Sequence, residues 1–185
     1  RTSPEEDATA TSLRFAIASC QRYEAGHYAA WRHLAGLPID AVVFLGDYIY
    51  EYATNTNALR TIEGGLAETL DQYRSRYAHY KSDPLLQAAH AACPWWLVWD
   101  DHEVDNDYAA GIAEDDADPA AFLARRAAAY QAWYEFMPVR LSAPEGPDFD
   151  IYRSFAVGDL VRFHVLDTRQ YRSDQQRGAP FIAAL

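Results

Sequence analysis

Carboxylates, a phenol and a thiol recur in this chain directly after short apolar runs, a placement that makes them candidates for chemistry. Asp47 follows the run 41–45 (AVVFL) and Gly46, with Tyr50 three residues on and Glu51 four. Oxygen donors of two kinds within one short loop suit a hard cation. A second group follows the run 95–99 (WWLVW): Asp100, Asp101, His102 and Glu103, then Asp105, Asn106 and Asp107. Ser19 and Cys20 close the run 13–18 (LRFAIA), and Asp167 closes the run 160–166, followed by Thr168, Arg169 and Gln170. Grouped carboxylates repel and raise one another's pKa unless a cation sits between them, so a metal is the simplest account of several acidic tips on one edge. The plain alternative for 100–107 is a solvated acidic loop, against which the aromatic run before it argues. For Cys20 the alternative is a small core residue, since free cysteine is among the most buried types; its place at a run's end favours a ligand.

The apolar runs must be the elements that hold these groups. Run 41–45 has the length and β-branched content of a buried strand, and open α/β sheets place their ligands in the crevice beyond such strand ends. Run 13–18 reads as a preceding strand and 27–37, with Trp31 and Leu34 on helical spacing and Pro38 behind it, as the crossover helix of a βαβ unit. Residues 54–65, polar and holding a Gly-Gly pair, read as a loop at the crevice rim. Leu66, Leu70, Tyr73, Tyr77 and Tyr80 mark an amphipathic helix over 66–80, in which His79 is a packing or surface residue rather than a ligand. Asp83-Pro84 opens a helix closed by Cys93-Pro94, and Asp118-Pro119 opens another over 120–137. Runs 151–157 and 160–166 flank Gly158-Asp159 as a hairpin. Four strands are thus expected to present polar chemistry at one sheet edge.

With 185 residues, half of them apolar, the chain has the material for one domain with a sizeable core. A net charge of -11 and a pI of about 4.8 give no field that attracts nucleic acid or anionic lipid, which weighs against a nucleic-acid scaffold role. No apolar run approaches the length of a transmembrane helix. Residues 1–12 are polar and read as a linker, with the chain expected to be cut from something longer. Cys20 and Cys93 could pair in an oxidising compartment, although separate roles are preferred. Neither a serine in a glycine-bracketed elbow nor a phosphate-cradling P-loop pattern is present.

Ser19-Cys20-Gln21, Gly46-Asp47-Tyr48-Ile49-Tyr50-Glu51, the stretch from Trp99 to Asp107 (WDDHEVDND) and that from Leu166 to Arg172 (LDTRQYR) together resemble the ordered motifs of the PhoD-like alkaline phosphatases, in the calcineurin-like metallophosphoesterase superfamily. The resemblance runs from about Leu13 to Arg172. It implies an α/β fold, the first half of a metallophosphoesterase-type α/β/β/α sandwich, with residues 13–185 as the N-terminal part of a catalytic domain whose remaining part, with further ligands, is missing. It also implies a ferric ion with one or two calcium ions. Carried over to this chain, Asp47 becomes the bridging carboxylate, and Tyr50 and Cys20 anionic ligands to iron. Calcium is served by Asp47 together with Asp101 or Asn106, Asp101 being ranked first. His102 becomes the catalytic residue that bonds the phosphoryl group or protonates the leaving oxygen. Arg169 holds a phosphate oxygen, or else forms a salt bridge to an acidic neighbour.

The implied activity is hydrolysis of a phosphate ester, monoester or diester, by a metal-activated hydroxide in an exported protein: periplasmic, at the cell surface or secreted. The alternative is a non-catalytic piece that binds calcium or packs against a partner.

Overall fold

The computed structural model describes residues 9–54, 56–115 and 117–175; most of the linker expected over 1–12, and residues 176–185 of the expected catalytic part, lie outside the described residues. Three parallel strands, β1 (Phe15–Ala18), β2 (Ala41–Phe44) and β3 (Trp95–Leu97), form one sheet in the order β1-β2-β3. Helix α1 (Ala29–Ala35) makes the crossover between the first two, as the βαβ reading requires. It starts at Ala29 rather than at residue 27 because Tyr28 is in the left-handed region, with φ of 51°. Helices α2 (Leu70–Lys81) and α3 (Pro84–Ala92) lie between β2 and β3, and α4 (Pro119–Phe136) follows β3. The chain is mixed α/β.

Local signals account for the helix ends. Asp83 accepts hydrogen bonds from the Leu85 and Leu86 amides at 2.8 and 3.1 Å, and Asp118 accepts one from Ala121, so both Asp-Pro pairs cap as expected. Helix α2 begins at Leu70, later than the apolar spacing from Leu66 suggests, because Thr69 and Gln72 form a capping box that fixes the first turn.

The strand alternation sorts the sheet into two faces. On one, Val42, Phe44 and Trp95 are buried under α1 and α3: Trp31 lies 4.9 Å from Trp95, and the His90 ring stacks on Trp95 at 3.9 Å. On the other, Trp96 and Phe15 meet Phe163 at 4.7 and 5.8 Å. Phe163 belongs to a separate two-stranded antiparallel sheet, β4 (Arg153–Val157) with β5 (Val161–Val165). The expectation of four strand tips on one sheet edge is thereby corrected to three. Among the described residues the fourth strand pairs only with its hairpin partner, around Gly158 at φ of 52°, and the hairpin lies against the sheet's face through its aromatic side chains.

β2 and β3 end in very close contact. A Cβ on Gly46 would lie 2.3 Å from the Asp100 nitrogen and 2.7 Å from the Trp99 carbonyl carbon, and Gly46 has φ of 105°. Gly46→Ala therefore meets both a backbone clash and an unfavourable dihedral, and is expected to destabilise the fold by about 3 kcal/mol or more. Thermal unfolding of the variant checks this, and an unchanged melting temperature would contradict it.

His90 supplies a second test. Its Nε2 is 2.7 Å from the Tyr48 hydroxyl, and burial, aided by the charge of Lys81, pushes the imidazole down to about 3. The unfolded chain then binds more protons than the folded one between the ordinary value and about 3. The neutral ring's contribution is complete above the ordinary histidine range and is lost as pH falls below about 6.5, by up to about 1.4 kcal/mol per pH unit. Urea unfolding at pH 7.5 and pH 5 is expected to show a smaller loss on acidification in His90→Gln than in the parent; equal losses would refute the assignment.

Candidate metal centre

The three parallel strands deliver their C-terminal loops to one place. The Cys20 amide donates to the Gly46 carbonyl and the Gln21 amide to the Asp47 carbonyl, each at 3.1 Å, which lays the loop after β1 along the loop after β2. Cys20 and Asp47 both take φ of 56°, left-handed conformations that non-glycine residues hold only where the surroundings enforce them. Beside them the loop after β3 brings in Asp101 and His102. Ligand atoms of Asp47, Asp101 and His102 all lie within 4.8 Å of one another, and all three residues are buried.

Tyr50 donates its hydroxyl to Asp47 Oδ2 at 3.3 Å, and the Cys20 thiol sits against the Asp47 carboxylate and the Tyr50 hydroxyl. Asp47 Oδ1 is buried without a hydrogen-bond partner in the structure. A buried carboxylate with one unpartnered oxygen, clustered with a second carboxylate and an imidazole, is the arrangement a cation would complete, and the donor set fits one. Without it the charges are poorly compensated. Burial, together with the nearby Asp101 and Asp100 charges, raises the Asp47 carboxyl. Burial and the adjacent Asp47 and Cys20 raise the Tyr50 phenol, and burial is the main cause that raises the Cys20 thiol. Asp101 suffers burial too, but the Asp107 amide at 2.8 Å and the Arg169 charge outweigh it and lower its carboxyl.

His102 is oriented by Glu51, which the sequence offers as an oxygen donor for a cation rather than as a partner for histidine. Its Nδ1 is 2.8 Å from Glu51 Oε2, while Glu51 Oε1 accepts the Asn106 amide at 2.8 Å. Burial opposes a charged imidazole, but the Glu51 hydrogen bond and charge, with Asp101 and Asp47, outweigh it and raise the His102 pKa. The ring lies 4.1 Å from the Tyr50 ring, which holds it from the side. The spacing of Tyr50 and Glu51 placed both near the crevice; nothing local in the sequence pairs Glu51 with a residue 51 positions away.

Glu103 stands in the sequence as one of the acidic group after run 95–99, with no role of its own. It is 1% exposed and accepts backbone hydrogen bonds from Tyr48 at 2.6 Å, Asp100 at 2.9 Å and Asp47 at 3.1 Å. Burial and the Asp47 charge push its carboxyl up to about 8, against the pull of those three N–H groups.

The remaining expected residues stand differently. The Asn106 carboxamide nitrogen donates to Glu114 at 2.7 Å, whereas Asp101 joins Asp47 and His102 in the cluster. Arg169 forms the salt bridge that was its alternative reading: Nε donates to Asp100 Oδ1 at 2.6 Å and Nη2 lies 3.5 Å from Asp101. Cys20 and Cys93 are not joined by a disulfide in the structure.

The family model described as PhoD-like phosphatase matches residues 15–184. Alkaline phosphatase D of Bacillus subtilis (strain 168) is 52% identical over 181 residues, covering 95% of this chain and 31% of that protein. A solved structure titled "Structure of PhoD" superposes with a TM-score of 0.90 at 52% identity, covering 95% of this chain and 35% of that one. The chain spans about a third of the length of the relatives it matches. It belongs to the PhoD-like phosphatase family.

Proposed function

We propose that this chain is the N-terminal part of a metal-dependent phosphoester hydrolase domain of the α/β/β/α sandwich type. The observation that carries the reading is the buried Asp47, Asp101 and His102 cluster with its unpartnered Asp47 oxygen. Tyr50 and Cys20, beside Asp47, would hold a ferric ion through anionic donors, and Asp47 with Asp101 would hold calcium. Bound there, such cations would supply charge to stabilise the transferring phosphoryl group and to lower the pKa of water.

The chain's own residues do the rest. His102, kept in one tautomer by Glu51, presents Nε2 for hydrogen bonding to a phosphoryl oxygen or for protonating the leaving oxygen. Arg169 holds Asp100 and Asp101 in place; a direct grip on a phosphate oxygen would need it to give up one of these carboxylates. Asn106 contributes through its backbone amide on Glu51. Export to the periplasm, cell surface or medium is part of the proposal and draws on the family alone. Among the described residues no helix is long and apolar enough to cross a membrane.

The partner of this chain would be the remainder of its catalytic domain. Phe15, Ile17 and Leu45, on the hairpin side of the sheet by alternation, are 41, 64 and 49% exposed, an apolar face that further chain would cover. The same face is what favours the second reading, a piece that only packs against a partner.

In the complete protein, metal analysis together with the visible spectrum is expected to show bound iron and a charge-transfer band lost in Tyr50→Phe. Asp47→Asn is expected to lose metal and turnover while keeping its circular dichroism. His102→Ala should retain metal and lose two to four orders of magnitude in phosphoester turnover, the usual range for general acid catalysis. Loss of metal in His102→Ala would make His102 a ligand instead. Iron-free, band-free parent protein without turnover would favour the packing module.

A further inference from the structure

We infer that Glu103 is a positioning residue for this centre: its carboxylate holds the left-handed Asp47 backbone against the end of β3, and so sets where Asp47 and Asp101 can share a cation. The inference rests on the metal-site reading above. Three observations lead to it. First, one carboxylate takes three consecutive-loop amides, Oε1 from Tyr48 and Oε2 from both Asp47 and Asp100, so a single side chain joins the loops after β2 and β3. Second, the joined residues are the ones whose backbone is constrained: Asp47 at φ of 56°, next to Gly46, whose missing side chain is what admits Asp100. Third, no arginine, lysine or histidine forms a salt bridge to Glu103 among the described residues, although it is 1% exposed.

A buried carboxylate without a cationic partner is costly, and an apolar side chain of similar size would fill the space at lower cost if filling were all that mattered. Backbone amides held by a carboxylate, however, cannot relax towards water or towards other carbonyls. The Asp47 side chain then leaves a fixed backbone, and so does the Asp101 side chain one residue beyond the third amide. Partners of this kind, one bond removed from the ligands, commonly govern metal affinity by ten- to a hundredfold.

Glutamine at this position is nearly isosteric, but its amide nitrogen must face either the Tyr48 N–H or the Asp47 and Asp100 N–H pair, donor against donor. The test titrates metal-stripped complete protein with Ca2+ by calorimetry and follows amide exchange at residues 47, 48 and 100. Glu103→Gln is expected to bind Ca2+ ten- to a hundredfold more weakly and to exchange faster at those amides, with the rest of the sheet still protected. Leu86→Ala, a cavity in buried α3, serves as the control for plain instability: it should lower the melting temperature and leave Ca2+ affinity within about twofold.

Parent-like affinity in Glu103→Gln overturns the inference, as does an equal loss of affinity in Leu86→Ala. Should Glu103→Gln fail to fold, Glu103→Asp, which keeps the charge but withdraws it by one methylene, faces the same titration and the same criterion. A parent protein that binds no Ca2+ would remove the metal-site reading and this inference with it. That failure appears in the parent, whereas failure of the inference alone appears only in the variants.

Discussion

The contact between the ends of β2 and β3 is the constraint on which the rest of the site depends. Gly46 lies where any Cβ would enter the backbone of Trp99 and Asp100, so the two strand ends meet main chain to main chain. That approach places the carboxylate of Asp47 beside those of the next loop, and Glu103 closes it with three amide hydrogen bonds. Left-handed Cys20 and Asp47 are consistent with strain held at a functional centre by over-determined surroundings. The order of causes runs from a missing side chain, through a backbone contact, to a ligand geometry.

Charge is arranged on the same principle. A cluster of buried acids is tolerated only where something answers it. Arg169 answers Asp100 and Asp101, Arg125 answers Asp105 at 2.7 Å, and the imidazole of His102 answers Glu51. Asp47 has no arginine or lysine salt bridge among the described residues: Oδ2 takes the Tyr50 hydroxyl at 3.3 Å, Oδ1 has no hydrogen-bond partner, and the Cys20 thiol and the His102 charge are what answer the carboxylate. The gap in compensation falls at the point where three strand ends converge, which is why a cation site is read there and not in the equally acidic but ion-paired surroundings of Asp105.

Rigidity comes from aromatic packing on both sides of the short strands. Trp31, Phe44 and Trp95 fill the helical side, and Trp99 stacks flat on Tyr130 of α4 at 4.2 Å, just before the loop that carries Asp101 and His102. Strands of three or four residues could not hold a loop in place by ladder hydrogen bonds alone; large buried rings at their ends do so by excluding alternatives. On the other face the hairpin covers Trp96 while leaving Ile17 and Leu45 open.

What the sequence by itself determined is what short-range chemistry dictates. Apolar runs of strand length, Asp-Pro caps at Asp83 and Asp118, and the acidic residues directly after the runs were all legible, as were the βαβ unit and the hairpin. Each depends on neighbours within a few positions, and together the motifs carried the family. Direction was not legible. Whether Glu51 faces His102, whether Glu103 turns inward onto the Asp47 amide, whether Asn106 leans to Glu114 and whether Arg169 is free or committed to Asp100 are decided across separations of 8 to 69 residues. The hairpin's exclusion from the parallel sheet belongs to the same class, since strand pairing is settled by which faces can be buried together. A linear string names the donors and acceptors, but only the folded chain assigns each to its partner, because hydrogen bonds and ion pairs act over a few ångströms of space and take no account of distance along the chain.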